Sequence, residues 1–263
     1  MHRRFLILVC MVVLLTGCEA LNNLAKRAVP PQRLITRILN TYSHDSTSYT
    51  QGLLLYNGLF YESGGQYRES TLRLVQPETG EVLKRLDLPP DYFAEGLALV
   101  GDRLIQITWR EGKAFAYDRE TFNLVETFAY EGEGWGLCYD GESLYMSDGS
   151  PYLVARDPTT FAELRRVLVV SDGRPVMRLN ELECVGDSVY ANIWFEDRII
   201  QINKKSGAVT AEIDASGLLS PPERAMMDGG AVLNGIAYNP ERKTFYITGK
   251  YWGKLFEVEF VPR

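Results

Sequence analysis

Thr50-Gln51-Gly52-Leu53-Leu54 is the first of five copies of one phrase. The others are Ala94-Glu95-Gly96-Leu97-Ala98, Gly134-Trp135-Gly136-Leu137-Cys138, Asn180-Glu181-Leu182-Glu183-Cys184 and Leu233-Asn234-Gly235-Ile236-Ala237. The second positions are 44, 40, 46 and 53 residues apart. A period of that length marks a chain built from one supersecondary unit used repeatedly, as in a solenoid or a propeller. The framework recurs while the side chain in the second position changes, so one scaffold carries different chemical groups.

Each copy runs into a turn and then a β-rich stretch. Asn57-Gly58 precedes Leu59–Ser63, Gly101-Asp102 precedes Leu104–Trp109, and Asp140-Gly141 precedes Leu144–Asp148. Gly186-Asp187 precedes Val189–Trp194, and Asn239-Pro240 precedes Phe245–Lys250. Asn-Gly and Asp-Gly pairs supply the positive φ angles of tight hairpins, so each unit starts with two antiparallel strands. Two more follow, as in Leu72–Val75 and Val82–Asp87 on either side of Pro77–Gly80. Four strands in about 40–50 residues is the signature of a propeller blade. The last unit ends one strand short, whereas Leu34–Leu39 precedes the first unit without a partner. The expected fold is therefore all-β, a five-bladed β-propeller closed by its N-terminal strand, with Leu34–Leu39 beside Leu255–Phe260 and no open sheet edge.

Residues 1–17 read as an export signal. His2-Arg3-Arg4 is followed by eleven apolar residues, Phe5 to Leu15, too short a run to span a bilayer core. Leu15-Thr16-Gly17-Cys18 resembles the bacterial lipoprotein box, which implies lipidation of Cys18 and a polar tether over residues 18–32. Glu19 after the cysteine favours the outer membrane, with residues 33–263 facing the periplasm as one catalytic domain. On this reading the only membrane contact is the lipid.

Composition suits one secreted domain: 46% hydrophobic residues can fill a core, and a net charge of −6 with no basic aromatic face argues against nucleic acid. A monomer is expected. Cys138 and Cys184 occupy the same apolar slot of adjacent repeats, which favours two buried reduced thiols, with a disulfide as the alternative if their Cα atoms come within about 7 Å.

Elimination narrows the chemistry. His44 is the only histidine outside the signal, so a zinc site of several histidines cannot be built and a Ser-His-Asp hydrolase would depend on that one residue. No glycine-rich nucleotide cradle is present. Proton transfer would fall to a carboxylate, lysine or tyrosine.

The second positions of the phrase, Gln51, Glu95, Trp135, Glu181 and Asn234, should converge at one mouth of the central channel. Tyr92, Phe93, Leu97 and Ala98 surround Glu95 in sequence, and burial among them would raise its pKa toward that of a useful acid and base. The blander alternative has Glu95 only accepting backbone N–H groups. The tryptophans, Trp109, Trp135, Trp194 and Trp252, fall in or just after the repeated strands. They serve either as packing between blades or as walls of an aromatic pocket.

Tyr49–Leu53, Phe93–Leu97, Ile107–Trp109, Gly134–Leu137, Ser147–Ser150, Leu179–Glu183, Ala191–Trp194, Leu233–Ile236 and Ile247–Lys250 together resemble the plant and bacterial glutaminyl cyclases, in order, from about Tyr42 to Phe256. The resemblance implies a glutaminyl-peptide cyclotransferase acting on peptides or proteins with N-terminal glutamine, with Glu95 as its acid and base. It implies a pocket of Tyr49, Gln51, Phe93, Trp109, Trp135, Asn180, Trp194 and Lys250. Tyr49 stands where the family often has phenylalanine, and Gly64–Ser70 departs from a serine-rich family loop. No cofactor or catalytic metal is implied, while a structural divalent ion in the channel stays open.

The reaction fits these residue types. A carboxylate can take the proton of the attacking amine and return it to departing ammonia, while indole N–H, amide N–H or Lys250 donates to the oxyanion. Two other readings stand beside it. One is a cell-envelope module that binds a protein partner. The other is a calcium-dependent, lactonase-like hydrolase using Glu95, Glu181, Asn192 and Asn234.

Overall fold

Asn57 and Gly58 take the left-handed conformation, with φ of 50° and 76°, and turn the chain from β2 (Thr50–Tyr56) into β3 (Leu59–Gly64) as the sequence requires. In the computed structural model of the chain, which describes residues 30–263, the other units also begin with a hairpin, each with one left-handed residue in its turn, Gly101, Gly141, Gly186 and Lys243. The signal, the Leu15–Cys18 box and the tether up to residue 29 lie outside the described residues.

The first sheet is completed by β4 (Thr71–Val75) and β5 (Val82–Asp87). The second holds β6 (Ala94–Val100), β7 (Arg103–Thr108), β8 (Lys113–Asp118) and β9 (Leu124–Ala129). The third holds β10 (Leu137–Tyr139), β11 (Leu144–Met146), β12 (Tyr152–Arg156) and β13 (Glu163–Leu168). A two-stranded ribbon, β14 (Val170–Ser171) and β15 (Arg174–Pro175), turns at Asp172-Gly173 and was not anticipated. Four strands follow, β16 (Leu179–Val185), β17 (Ser188–Ile193), β18 (Arg198–Asn203) and β19 (Val209–Asp214). A short helix α1 (Pro221–Ala225) then leads to β20 (Leu233–Asn239), β21 (Thr244–Gly249) and β22 (Lys254–Pro262).

The expected five-bladed propeller needs correction. β1 (Gln32–Ser43) does pair antiparallel with β22, from Leu34↔Pro262 to Ser43↔Lys254. It also pairs parallel with β19, from Gln32↔Ala211 to Ile35↔Asp214. At twelve residues β1 is longer than the Leu34–Leu39 strand read from the sequence, and its Leu34 and Ile35 are paired on both edges. The result is one eight-stranded sheet, β16-β17-β18-β19-β1-β22-β21-β20, with three four-stranded sheets and the ribbon, not five separate four-stranded blades.

Apolar faces of successive sheets pack on one another. Leu72, Leu104, Phe115 and Phe122 lie between the first and second sheets, and Ile105, Ile107, Leu144 and Phe161 between the second and third. Fully burying one such side chain is worth about 1.5–3 kcal/mol. The first strands of the units approach so closely that glycine is required between them. A Cβ on Gly96 would lie 2.4 Å from the Leu137 nitrogen, and one on Gly136 would lie 2.1 Å from the Asn180 oxygen.

That closeness also decides the cysteines. β10 touches β16, and Cys138 and Cys184 form a disulfide with Cα atoms 5.4 Å apart, which overturns the expectation of two reduced thiols. Trp252 is fully buried in the core with Ile199, Ile247 and Phe256, so it is a packing tryptophan and not a cavity wall.

Candidate active site

The repeated phrase is where the inner strands break register. Irregularities fall at Thr50/Gly52, Ala94/Leu97, Leu179/Leu182 and Leu233/Ile236, the same place in four units. Bulges re-aim side chains that a regular strand would direct alternately to either face. Here they send Gln51, Glu95 and Asn180 toward one cavity. In the third unit the phrase lies just ahead of β10, and Trp135 is set by its neighbours. Its N–H donates to the Ser147 carbonyl at 2.9 Å, and Gly149, at φ +79°, leaves room for the flat indole.

The cavity has a volume of about 160 Å³ and is lined by Tyr49, Gln51, Phe93, Glu95, Trp109, Trp135, Asn180, Trp194 and Lys250, together with Gln66. All nine site residues expected from the sequence are thus brought together. Of the five second-position residues, however, only Gln51, Glu95 and Trp135 reach the cavity. Asn234 lies behind Gln51, and Glu181 serves elsewhere, its place in the wall taken by Asn180. The aromatic walls interlock edge to face: Tyr49 meets Phe93 at 6.0 Å and Tyr251 at 5.1 Å, and Trp135 meets Trp194 at 5.1 Å between ring centroids.

Glu95 is 4% exposed. One carboxyl oxygen accepts the Gln51 amide at 2.9 Å, and the other is buried without a hydrogen-bond partner among the described residues. Burial drives its pKa well above the usual carboxylate value. Lys250 opposes that rise, and the negative charges of Glu133 and Glu111 add to it. The bland reading, a glutamate bonded only to backbone amides, does not describe Glu95, whose partner is a side chain. Burial pulls the Lys250 ammonium down to about 8 against the opposing pull of Glu95. Its Nζ sits 4.5 Å from the Tyr49 ring centroid, a cation–π contact. Neither group belongs to an ion pair among the described residues, so each faces the cavity largely uncompensated.

Two contributors escaped the sequence reading. Gln66 comes from the Gly64–Ser70 loop, whose Gly65 lies so tight against Phe93 and Gln51 that a Cβ would clash. Glu133 accepts the indole N–H groups of Trp109 and Trp135 at 2.8 and 2.9 Å. Those two donors are therefore engaged by Glu133 and do not point freely at an oxyanion, unlike the arrangement considered from sequence. A carboxylate held between Gly132 and Gly134, directly before Trp135, was the available signal.

The glutamine cyclotransferase family model matches residues 9–260. The chain is 37% identical over 230 residues to the glutaminyl-peptide cyclotransferase of Arabidopsis thaliana, across 84% of this chain and 70% of that protein. The chain belongs to the glutamine cyclotransferase family. Its fold is similar to the crystal structure of Myxococcus xanthus glutaminyl cyclase, with a TM-score of 0.84 at 39% identity, covering 89% of this chain and 99% of that one.

In this family member several polar residues that other chemistry would need make bonds within the fold. His44 donates from Nδ1 to the Trp252 carbonyl at 2.7 Å and pairs through Nε2 with Glu62 at 3.1 Å, so both nitrogens are occupied. Among the described residues no Ser-His-Asp arrangement forms around it. The Glu181 carboxylate accepts the backbone N–H of Leu53 at 3.2 Å and of Ile236 at 2.9 Å. Asn192 accepts the Gly235 N–H at 3.0 Å. Of the four groups of the hydrolase reading, Glu181 and Asn192 thus already accept backbone N–H groups, while Glu95 Oε2 and Asn234 Oδ1 are buried without a hydrogen-bond partner among the described residues. Among the described residues no cluster of three or more His, Cys, Asp or Glu is arranged to hold a metal ion.

Proposed function

We infer that the chain is a glutaminyl-peptide cyclotransferase, closing the N-terminal glutamine of a peptide to pyroglutamate with release of ammonia. The observation that carries the mechanism is Glu95, a buried carboxyl group with one oxygen held by Gln51 and the other unpartnered. The glutamine side chain curls within the aromatic walls so that its α-amine lies against its own γ-carboxamide carbon, a gain in proximity for an intramolecular attack. As the C–N bond forms, ionised Glu95 takes a proton from the attacking nitrogen. It then gives that proton to the departing amide nitrogen, the C–N bond to ammonia breaks, and Glu95 returns to its starting form. Protonated Lys250, with its charge poorly solvated, and the Asn180 amide are suited to stabilising the oxyanion between these steps.

The test uses a Gln-initiated peptide and follows ammonia release together with the mass change of one lost ammonia. Glu95→Gln keeps the shape and cannot shuttle a proton, so turnover should fall on the order of a hundredfold or more. Near wild-type turnover in that variant would remove Glu95 from the role. A wild-type protein without this activity would remove the functional reading altogether.

The cell-envelope setting is a further proposal that rests on sequence signals. Export by residues 1–17 and lipidation at Cys18 would hold the domain at the outer membrane, facing the periplasm, where exported proteins expose new N-termini.

A further inference from the structure

Glu133 does not line the cavity, yet it touches two of the three indoles that do. Its Oε2 accepts the Nε1–H of Trp109 at 2.8 Å and of Trp135 at 2.9 Å, while its Oε1 accepts from Arg110 Nε at 3.0 Å. Arg110 in turn lies flat over Trp109, with its guanidinium carbon 3.6 Å from the ring centroid. We propose that Glu133 is a positioning residue for cyclisation: one carboxylate locks the Trp109 and Trp135 rings in the cavity wall. This rests on the cyclotransferase reading and deepens it.

The two rings come from different units of the chain. Trp109 follows β7 and Trp135 precedes β10, and Glu133 is the polar side chain they share. A single charged oxygen accepting two N–H groups makes charge-assisted bonds, roughly twice as strong as neutral ones. The backbone has little freedom to move the carboxylate. The Gly134 N–H donates to the Trp109 carbonyl at 2.9 Å, and a Cβ at Gly134 would strike the Tyr130 hydroxyl. Burial favours protonation of Glu133, but the two indoles and Arg110 outweigh it and keep the group ionised below its ordinary range.

That charge also reaches Glu95. The titratable groups that act on Glu95 or feel it are Lys250, Glu133, Glu111, Tyr49, Tyr67 and Tyr130. Of the two carboxylates among them, Glu133 is the one that accepts indole N–H groups of the cavity wall, whereas Glu111 accepts the Tyr67 hydroxyl and the Phe93 backbone N–H. A negative neighbour disfavours ionisation of Glu95, so loss of Glu133's charge lowers the pH at which Glu95 becomes a base.

The experiment compares pH profiles of kcat/KM on a Gln-initiated peptide for wild type, Glu133→Gln and Arg110→Ala, and repeats Glu133→Gln on a Trp109→Phe/Trp135→Phe background. Glu133→Gln should lose roughly tenfold to a hundredfold in kcat/KM, the range for a hydrogen bond to a charged group, and its acid limb should move to lower pH. Arg110→Ala, which leaves Glu133 uncompensated, should move the limb the other way. On the double-phenylalanine background Glu133→Gln should cost little more, because the indole donors are already gone. Unchanged kcat/KM and limb would overturn the proposal. So would an activity loss of equal size in both backgrounds with the limb unmoved, the mark of a purely structural residue. Should Glu133→Gln fail to fold, an unmoved limb in surface-exposed Arg110→Ala overturns it alone. Absence of wild-type activity would instead sink the functional reading.

Discussion

Asn234 donates its side-chain amide to the Gln51 carbonyl oxygen at 3.2 Å, and this fixes which end of Gln51 meets Glu95. The same Asn234 nitrogen donates to the Thr50 carbonyl at 2.9 Å, so its own orientation is set by backbone. With its oxygen taken, Gln51 presents N–H to Glu95. Asn234→Ala should let the Gln51 amide turn and put an oxygen against the carboxyl group. A turnover loss of about tenfold is expected, with a stability cost of about 1–3 kcal/mol for the polar groups left unpaired. Steady-state kinetics and thermal melts separate the two effects.

Lys250 is the opposite case, a charge whose burial costs stability. Its folded pKa, about 8, lies below the ordinary 10.5, so the native state binds fewer protons than the unfolded one between those values. Stability should therefore rise with pH across that window. Lys250→Met keeps the volume, removes the burial penalty and should stabilise by on the order of 3 kcal/mol at neutral pH while cutting turnover. It should also move the acid limb of activity to higher pH, since Lys250 favours the ionised form of Glu95. A Lys250→Met protein that melts lower than wild type would contradict this account.

The His44–Glu62 pair predicts a plateau in stability. Burial pushes His44 toward the neutral form, but the charge and hydrogen bond of Glu62 outweigh it and raise its pKa above 6.5. Glu62 is likewise pushed up by burial and brought down by His44 and its other partners to about 2. The Glu62 contribution is present above about 4.5 and is lost as pH falls toward about 2. The His44 contribution is present below 6.5 and is lost as pH rises through its raised folded value. Melting temperature against pH should decline on both sides of that window. Glu62→Gln, which strands a buried imidazolium, should cost about 3–5 kcal/mol within it.

The Cys138–Cys184 disulfide closes a loop with a sequence separation of 46. A loop of that length corresponds to about 4 kcal/mol of stabilisation in the chain-entropy account. Cys138→Ala/Cys184→Ala should lower the urea midpoint accordingly, and thiol titration of the unreduced, denatured domain should find neither sulfur free.

Cys18→Ser tests the anchor. The variant should fractionate as soluble or unprocessed protein, and unchanged membrane association would count against lipidation.

Much of the site was legible because its residues share one repeated phrase and the aromatic residues near it. Gln51, Glu95 and Trp135 could be placed by period alone. Asn180 stands in the cavity in place of Glu181 because it follows Leu179 at the bulge as Glu95 follows Ala94, so the phrase of the fourth unit begins one residue earlier than its sequence suggests, and no composition rule reveals a bulge. Glu133 was missed because it acts through other side chains and lies outside the repeat. The antiparallel pairing of the first strand with the last was readable from the missing last strand, whereas the ribbon β14–β15 was not. The parallel ladder between β1 and β19 was not, since Gln32 and Arg33 carry no apolar alternation to mark a longer strand, and so the joining of two units into one sheet came only with the structure.

β1 precedes every other described strand and is paired only with β19 and β22, far later in the chain. While the ribosome is still at work, the opening strand has no partner, and the barrier to its pairing is set by long-range contact formation. Final assembly of the eight-stranded sheet must therefore wait until β22 has been made. Until that moment the strand edges that β1 later covers stay open to pairing with other chains.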